Sequence, residues 1–260
     1  MVDIPNLVII GAQKAGTTSL SAALAKHPDV FMSNPMKEPT YFFPETALIQ
    51  RMKRYDVTTV ATRAEVLAKV MKRGYSNERY FCEASTDYTI GQVAQKYDIP
   101  QRMKQESPDM RLLYIVRNPF ERLMSNFRHI AKQTHTTSLI ALLEDPKLGE
   151  NMILTSCYGR QLAWYFKHFD SATVHILFFE EFTRDQNTEL RKVYDFLDLP
   201  TPSQDIEPVF ENKSPKIEVD ESMRISTQVY DRVMNDIEFF KVFSGECGEK
   251  WDLSAETWCR

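Results

Sequence analysis

Two short stretches of the chain hold residue types that bind anions and move charged groups. The first, Leu7-Val-Ile-Ile-Gly-Ala-Gln-Lys-Ala-Gly-Thr-Thr-Ser-Leu20, runs four apolar residues into Gly11, then a loop with one lysine, Lys14, then Gly16 and the hydroxyls of Thr17, Thr18 and Ser19. Glycines at 11 and 16 let successive backbone N–H groups turn toward one anion, and the hydroxyls fall where a helix begins with its amides unpaired. The spacing is that of a phosphate loop, but Thr17 stands where a nucleoside triphosphatase carries the lysine that reaches the β- and γ-phosphates. A ligand with a 5′-phosphate and one transferable group suits this loop better than a magnesium-bound triphosphate. The second stretch, Arg117-Asn-Pro-Phe-Glu-Arg-Leu-Met-Ser125, follows another apolar run and offers a guanidinium and a hydroxyl to a second phosphate. Together the two predict a nucleotide with phosphates at two separate positions.

Such residues need strands that end together and helices that start beside them. Strand and helix signals alternate along the chain, which predicts an α/β fold with a central parallel sheet flanked by helices. Strands are expected at 7–10, 80–83, 111–116 and 174–179, with a short extended piece at 30–32. Helices are expected at 17–26, 63–72, from 119 through 131, 138–143, 155–169, 190–197 and 223–240. Residues 34–44 and 200–215 read as irregular. The polar segment Glu83-Ala-Ser-Thr-Asp-Tyr88 leaves the carboxyl end of a strand, the edge at which open α/β sheets bind ligands.

Composition narrows the class. At 260 residues the chain can bury one core, so a single domain over 1–260 is expected. A net charge of −4 argues against a nucleic-acid partner, and any anion site must be built locally. With no long apolar run and no leader-like N-terminus, a soluble cytoplasmic protein or an excised catalytic domain, without a membrane partner, is expected. The four cysteines, Cys82, Cys157, Cys247 and Cys259, lack metal-ligand spacing and read as thiols, with a Cys247–Cys259 bridge left open. No metal is expected. The aromatic segment 41–43 and the helix after Met223 are candidate surfaces for a homodimer.

The two anion motifs, in this order, resemble those of the sulfotransferases that use 3′-phosphoadenosine 5′-phosphosulfate (PAPS) and release 3′,5′-adenosine bisphosphate (PAP). The resemblance implies that Lys14 contacts the sulfuryl group and that Ala15, Gly16, Thr17, Thr18 and Ser19 hold the 5′-phosphate. It also implies that Arg117 and Ser125 hold the 3′-phosphate. Three further segments are similar to the branch containing heparan sulfate sulfotransferases and related bacterial enzymes. Lys37-Glu-Pro-Thr-Tyr-Phe-Phe43 resembles the segment whose glutamate is the base, which would be Glu38, with Lys37 and Tyr41 beside the acceptor. Glu83 to Tyr88 resembles the acceptor-side segment, placing Ser85 and Tyr88 there. Asn212-Lys-Ser-Pro-Lys216 resembles the late loop over the nucleotide, with Lys213, Ser214 and Lys216 as ligands.

Sulfuryl transfer gives these residue types a purpose. An attacking hydroxyl or amine must lose its proton, and a placed carboxylate takes it, an effect of about 10²- to 10⁴-fold. Charge spreading onto the transferring oxygens is met by fixed cations and amides. His129, one helical turn after Ser125, is a second candidate for the acceptor pocket and for the base, and Tyr158 is a candidate wall. Two other readings stand beside this one. A P-loop kinase or hydrolase would use the acidic strand end at Glu180 and Glu181 for magnesium, and a scaffold would bind nucleotide without turnover. The acceptor, whether small molecule, lipid or glycan, is not named by these residues.

Overall fold

The computed structural model describes residues 4–134, 138–211, 223–245 and 251–259. In chain order the elements begin β1 (Leu7–Gly11), α1 (Thr17–Leu24), β2 (Val30–Met32), α2 (Glu45–Arg54) and α3 (Arg63–Val66), which runs on as a wider π turn over Leu67–Met71. β3 (Tyr80–Glu83), a 3₁₀ turn (Thr86–Thr89), α4 (Gly91–Tyr97), α5 (Ile99–Glu106) and β4 (Arg111–Val116) follow. The second half holds α6 (Pro119–Thr134), α7 (Leu139–Glu144), α8 (Leu148–Ser156), α9 (Tyr158–Tyr165), β5 (Val174–Phe178), α10 (Phe179–Arg184) and α11 (Gln186–Phe196). α12 (Thr227–Ser244) and α13 (Ala255–Trp258) close the chain.

The five strands form one parallel sheet in the order β2-β3-β1-β4-β5. Side chains alternate across it with the two-residue period of a strand. Val8, Ile10, Leu112, Tyr114 and Val116 enter one core cluster, and Leu7, Ile9, Leu113 and Ile115 the other. α1 and α11 cover the second face with Leu20, Ala23, Leu24, Leu190 and Val193. Residues of α6, α8, α9 and α12 cover the first. A sheet buried on both faces explains why the strands read as near-continuous apolar runs. β1 is central, with β3 on one side and β4 on the other, so the strand order reverses beside it. Ligands of open α/β sheets lie at the carboxyl ends of strands at such a reversal.

Several expected boundaries differ. The helix expected at 155–169 is two, α8 and α9, meeting at Cys157. α2, α4, α5 and most of α8 lie where no helix was expected, because their apolar residues face the core in short runs that periodicity alone does not separate from loop. Tyr41, Phe42 and Phe43 are 4%, 0% and 6% exposed, so this segment is core and offers no dimer contact. Cys82 and Cys157 are buried thiols, while Cys247 lies outside the described residues. Among the described residues, no helix is long and apolar enough to cross a membrane.

Candidate functional site

The loop after β1 is shaped by its glycines. Gly16, at the start of α1, has φ +96°, and a Cβ there would lie 2.6 Å from the Phe179 ring. Glycine therefore permits both the left-handed turn and the close approach of the aromatic. Lys14 also takes a left-handed conformation, φ +70°. At the end of β4, Asn118 caps α6: its Oδ1 accepts from the amides of Phe120 at 3.0 Å and Glu121 at 3.2 Å. Pro119 supplies the preset φ of the first helical turn. Arg117 is thereby fixed on the sheet edge, with its carbonyl accepting from Tyr158 Oη at 2.7 Å.

These ends meet around a cavity of about 480 Å³. Gln13, Lys14, Gly16, Thr17, Thr18 and Ser19 line one side, Arg117, Ser125 and His129 another, and Glu38 and Thr86 a third. Phe179, Thr183, Phe210 and Glu211 complete it. The Arg117 guanidinium stacks 4.8 Å over the Phe179 ring and reaches Glu121 Oε2, 2.7 Å from Nη2. Ser19 Oγ accepts from the Glu211 amide at 2.9 Å, which pins the segment carrying Phe210 against α1.

Positive charge gathers at this edge despite the acidic whole. Burial pulls the Lys14 ammonium below its ordinary pKa, and Lys132, Arg117 and Arg122 add to the shift. His129 is lowered in the same way, first by burial and then by Lys14 and Lys132. Arg122 is fully buried behind the loop. Its Nε donates to Ser156 Oγ at 2.8 Å, Nη2 to the Met152 carbonyl at 2.6 Å and Nη1 to the Gln13 carbonyl at 3.4 Å. It ties the residue before Lys14 to α8.

Glu38 stands across the cavity from these cations. Its Oε1 is 2.8 Å from Lys37 Nζ, and its Oε2 accepts from Thr86 Oγ1 at 3.3 Å. Lys37 Nζ also donates to Thr18 Oγ1 at 3.2 Å, linking the carboxylate to the start of α1. Glu38 further lines an open groove of about 720 Å³ with Pro35, Met36, Lys37, Tyr55, Val57, Lys69 and Val70. One carboxylate thus borders both spaces.

Of the residues expected at the site, Lys14, Gly16, Thr17, Thr18, Ser19, Glu38, Arg117, Ser125 and His129 come together on one cavity. Lys37 joins through Glu38 and Thr18, on the groove side. Lys213, Ser214 and Lys216 lie outside the described residues. Five expectations are corrected by burial. Ala15 is 0% exposed, and its amide closes the loop on the Ala12 carbonyl at 3.1 Å. Tyr41 is buried, with Arg63 5.1 Å over its ring and its phenol pushed up to about 12 chiefly by burial. Ser85, Tyr88 and Tyr158 are buried too, each hydroxyl hydrogen-bonded inside the protein. Phe179, Phe210, Gln13, Thr183, Thr86 and Arg122 were not anticipated. For Phe179 the signal was present, an aromatic one residue past the end of β5 on the ligand edge.

The acidic strand end does not resemble a magnesium site. Glu180 Oε1 accepts from the Asn118 amide at 2.9 Å and Oε2 from Trp251 Nε1 at 2.8 Å, so both oxygens hold structure.

A protein-family model described as "Sulfotransferase family" matches residues 5–203. Among curated proteins the chain is 24% identical over 213 residues to the bifunctional heparan sulfate N-deacetylase/N-sulfotransferase 1 of Caenorhabditis elegans, covering 76% of this chain and 22% of that one. It is 26% identical over 207 residues to the mouse heparan sulfate glucosamine 3-O-sulfotransferase 5, covering 76% and 54%. The chain therefore spans about half or less of these relatives. Among solved structures, a sulfotransferase from Alicyclobacillus acidocaldarius superposes with a TM-score of 0.72 at 25% identity, over 96% of this chain and 99% of that one. The sulfotransferase domain of the Synechococcus PCC 7002 olefin synthase shares the fold, with a TM-score of 0.56 at 15% identity over 94% and 96%. With a family model spanning most of the sequence, the chain belongs to the sulfotransferase family.

Proposed function

We propose that this chain transfers the sulfuryl group of PAPS to a hydroxyl or amine of a small-molecule, lipid or glycan acceptor, with Glu38 as the base and PAP as the second product. The observation that carries the reading is that Lys14 and Glu38 border one cavity whose lining also includes Thr17, Thr18 and Ser19 on one side and Arg117 with Ser125 on another. The residues fit the donor: cations, hydroxyls and helix-start amides at one end, and Arg117 with Ser125 at the other. Phe179 and Phe210 offer aromatic faces to a base. The donor supplies the sulfuryl group, and a bond from the acceptor atom to sulfur replaces the bond from sulfur to the 5′-phosphate oxygen, which keeps the electron pair. Glu38 takes the acceptor's proton. Lys14 and the amides after Gly16 stabilise charge on the departing phosphate.

Among the described residues, Glu38 alone lines both the cavity and the open groove. The acceptor therefore enters along Met36, Tyr55, Val57 and Val70. That the named relatives act on heparan sulfate supports a glycan among the acceptors to be tried.

The test pairs binding with turnover. In a thermal-shift titration, PAP at about 100 times its Kd stabilises by about 2.7 kcal/mol, and 5′-AMP, ADP and ATP with magnesium stabilise less. Glu38→Gln keeps PAP binding and loses kcat by about 10²- to 10⁴-fold with PAPS and a panel of sugar, lipid and phenolic acceptors. Preference for ATP with magnesium would return the kinase reading, and full turnover in Glu38→Gln would remove Glu38 as the base.

A further inference from the structure

Glu83, the last residue of β3, is 0% exposed and forms no ion pair among the described residues. Its two oxygens accept from two hydroxyls instead: Oε2 from Ser85 Oγ at 2.5 Å, and Oε1 from Tyr88 Oη. Each hydroxyl also accepts a backbone N–H, Ser85 Oγ from Thr40 at 2.8 Å and Tyr88 Oη from Phe42 at 3.1 Å. The intervening amide, that of Tyr41, hydrogen-bonds to Glu83 itself. Next to Glu83, the Ala84 amide donates to the Lys37 carbonyl at 3.1 Å. The chain from Lys37 to Phe42 is thus held by one buried carboxylate and its neighbours, and Glu38 is the second residue of that segment.

Two features show that this arrangement is held against a cost. Thr40 is β-branched, fully buried and left-handed at φ +55°, a conformation that such residues avoid. A carboxylate buried without a cation is itself unfavourable. An ionised carboxylate only accepts, so both hydroxyls must donate to it and present their lone pairs to Thr40 and Phe42. A neutral side chain that donates at one oxygen position leaves a hydroxyl proton in the core without an acceptor.

We propose that Glu83, acting through Ser85 and Tyr88, is a positioning residue that fixes the strap bearing Glu38 and so sets where the base stands relative to Lys14. This rests on the reading of Glu38 as the base.

The clamp has a titration of its own. Burial pushes Glu83 up to about 7, and the nearby Glu38 charge adds to the rise, while the Ser85 and Tyr88 hydroxyls and the Tyr41 amide oppose it. The other titratable groups around it are Cys82 on β3, Tyr41 on the strap, Tyr88 on the 3₁₀ turn and Tyr165 on α9, with Lys37 beyond Cys82. The thiol and the three phenols are all raised and stay protonated near neutrality.

The experiment uses the full chain and four variants, Glu83→Gln, Ser85→Ala, Tyr88→Phe and Glu38→Gln. Three quantities are read: PAP affinity, amide hydrogen exchange of residues 37–43, and PAP release from PAPS with water as acceptor across pH 5.5–8.5. Glu83→Gln is expected to bind PAP within about twofold of the parent. Its strap amides exchange about tenfold faster or more, and its kcat falls about 10- to 100-fold. The parent's kcat drops as pH falls through about 7, and that limb is missing in Glu83→Gln. Ser85→Ala and Tyr88→Phe, which keep the carboxylate, give smaller losses of the same kind and decide the matter should Glu83→Gln not fold. If Glu38→Gln is inactive while Glu83→Gln and Tyr88→Phe exchange and turn over like the parent, the clamp is overturned. If Glu38→Gln turns over normally, the base assignment has failed instead, and parent-like exchange in Glu83→Gln and Tyr88→Phe still overturns the clamp.

Discussion

The two sides of β1 treat charge in opposite ways. Toward β4, Lys14, Arg117, Arg122 and Lys132 lie near enough that the other three depress Lys14, and among the described residues only Arg117 of the four is in an ion pair. Toward β3, Glu83 has its oxygens met by hydroxyls and an amide, and Asp87 is paired with Arg51. The cationic side repels itself until an anion arrives. The acidic side is complete without a ligand. A donor that comes and goes with each turnover suits the first, and a base that must already be in place when the acceptor arrives suits the second. The difference also accounts for a site that gathers cations on a chain of net charge −4.

The comparison breaks most visibly at Lys14. Lys14→Ala removes the one cation of the loop whose ammonium borders the cavity across from Glu38. It is expected to lower kcat by about 10²- to 10³-fold, the usual loss for one preorganised donor at a charge-developing oxygen. PAP affinity should change much less, because repulsion among the remaining cations falls at the same time. Single-turnover rates and PAP titration separate the two effects. An equal loss in both would mean that Lys14 holds the ground state.

The acidic side sharpens the comparison through stability. Glu83 is raised from the ordinary 4.5 to about 7, so the fold favours its protonated form. That contribution is full below about pH 4.5 and is lost as pH rises through 7, a change of about 3 kcal/mol. Urea unfolding at pH 5, 6, 7 and 8 should show the decline in the parent and its loss in Glu83→Gln. Stability and turnover then move in opposite directions over the same window. A parent whose stability rises from pH 6 to 8 would contradict this.

How far the sequence disclosed this follows from what each half is made of. The meeting of the β1 loop and the β4 end on one cavity was legible because each stretch is local: Gly11, Lys14, Gly16 and three hydroxyls fall within nine residues, and Arg117 and Ser125 within nine more. Four of the five strands were legible as apolar runs and β2 as a short extended piece, since a sheet covered on both faces leaves no polar alternation to confuse them. The acceptor side was only half legible. Glu38 could be placed on a segment, but Tyr41, Ser85 and Tyr88 were expected to face the acceptor and instead face inward. Ser85 and Tyr88 are turned inward onto Glu83, 45 residues from Glu38 in the chain, and no short-range pattern encodes that meeting. Arg122 was hidden for a related reason, since a charged residue on an amphipathic helix reads as solvated unless its buried partners are known.

Smaller effects probe the other anion position. Arg117→Ala is expected to weaken PAP by about 1.5–3 kcal/mol, roughly 10- to 100-fold, as befits charge-assisted hydrogen bonds. 5′-AMP, which lacks the second phosphate, should be nearly unaffected. Glu121→Gln is the finest test. Glu121 holds Arg117 through Nε at 3.2 Å and Nη2 at 2.7 Å, but it is 40% exposed, and such a pair is worth less than about 1 kcal/mol. Removing it costs Arg117 some preorganisation and also takes a negative charge from beside the site for a phosphate. Because the pair is solvent-screened and a doubly charged phosphate would sit against the same guanidinium, the second effect is the larger. PAP should bind about two- to fivefold tighter in Glu121→Gln, with the gain shrinking at high salt. Weaker binding would mean that orientation outweighs charge here, and that this corner of the cationic side is built as the acidic side is, complete before its ligand arrives.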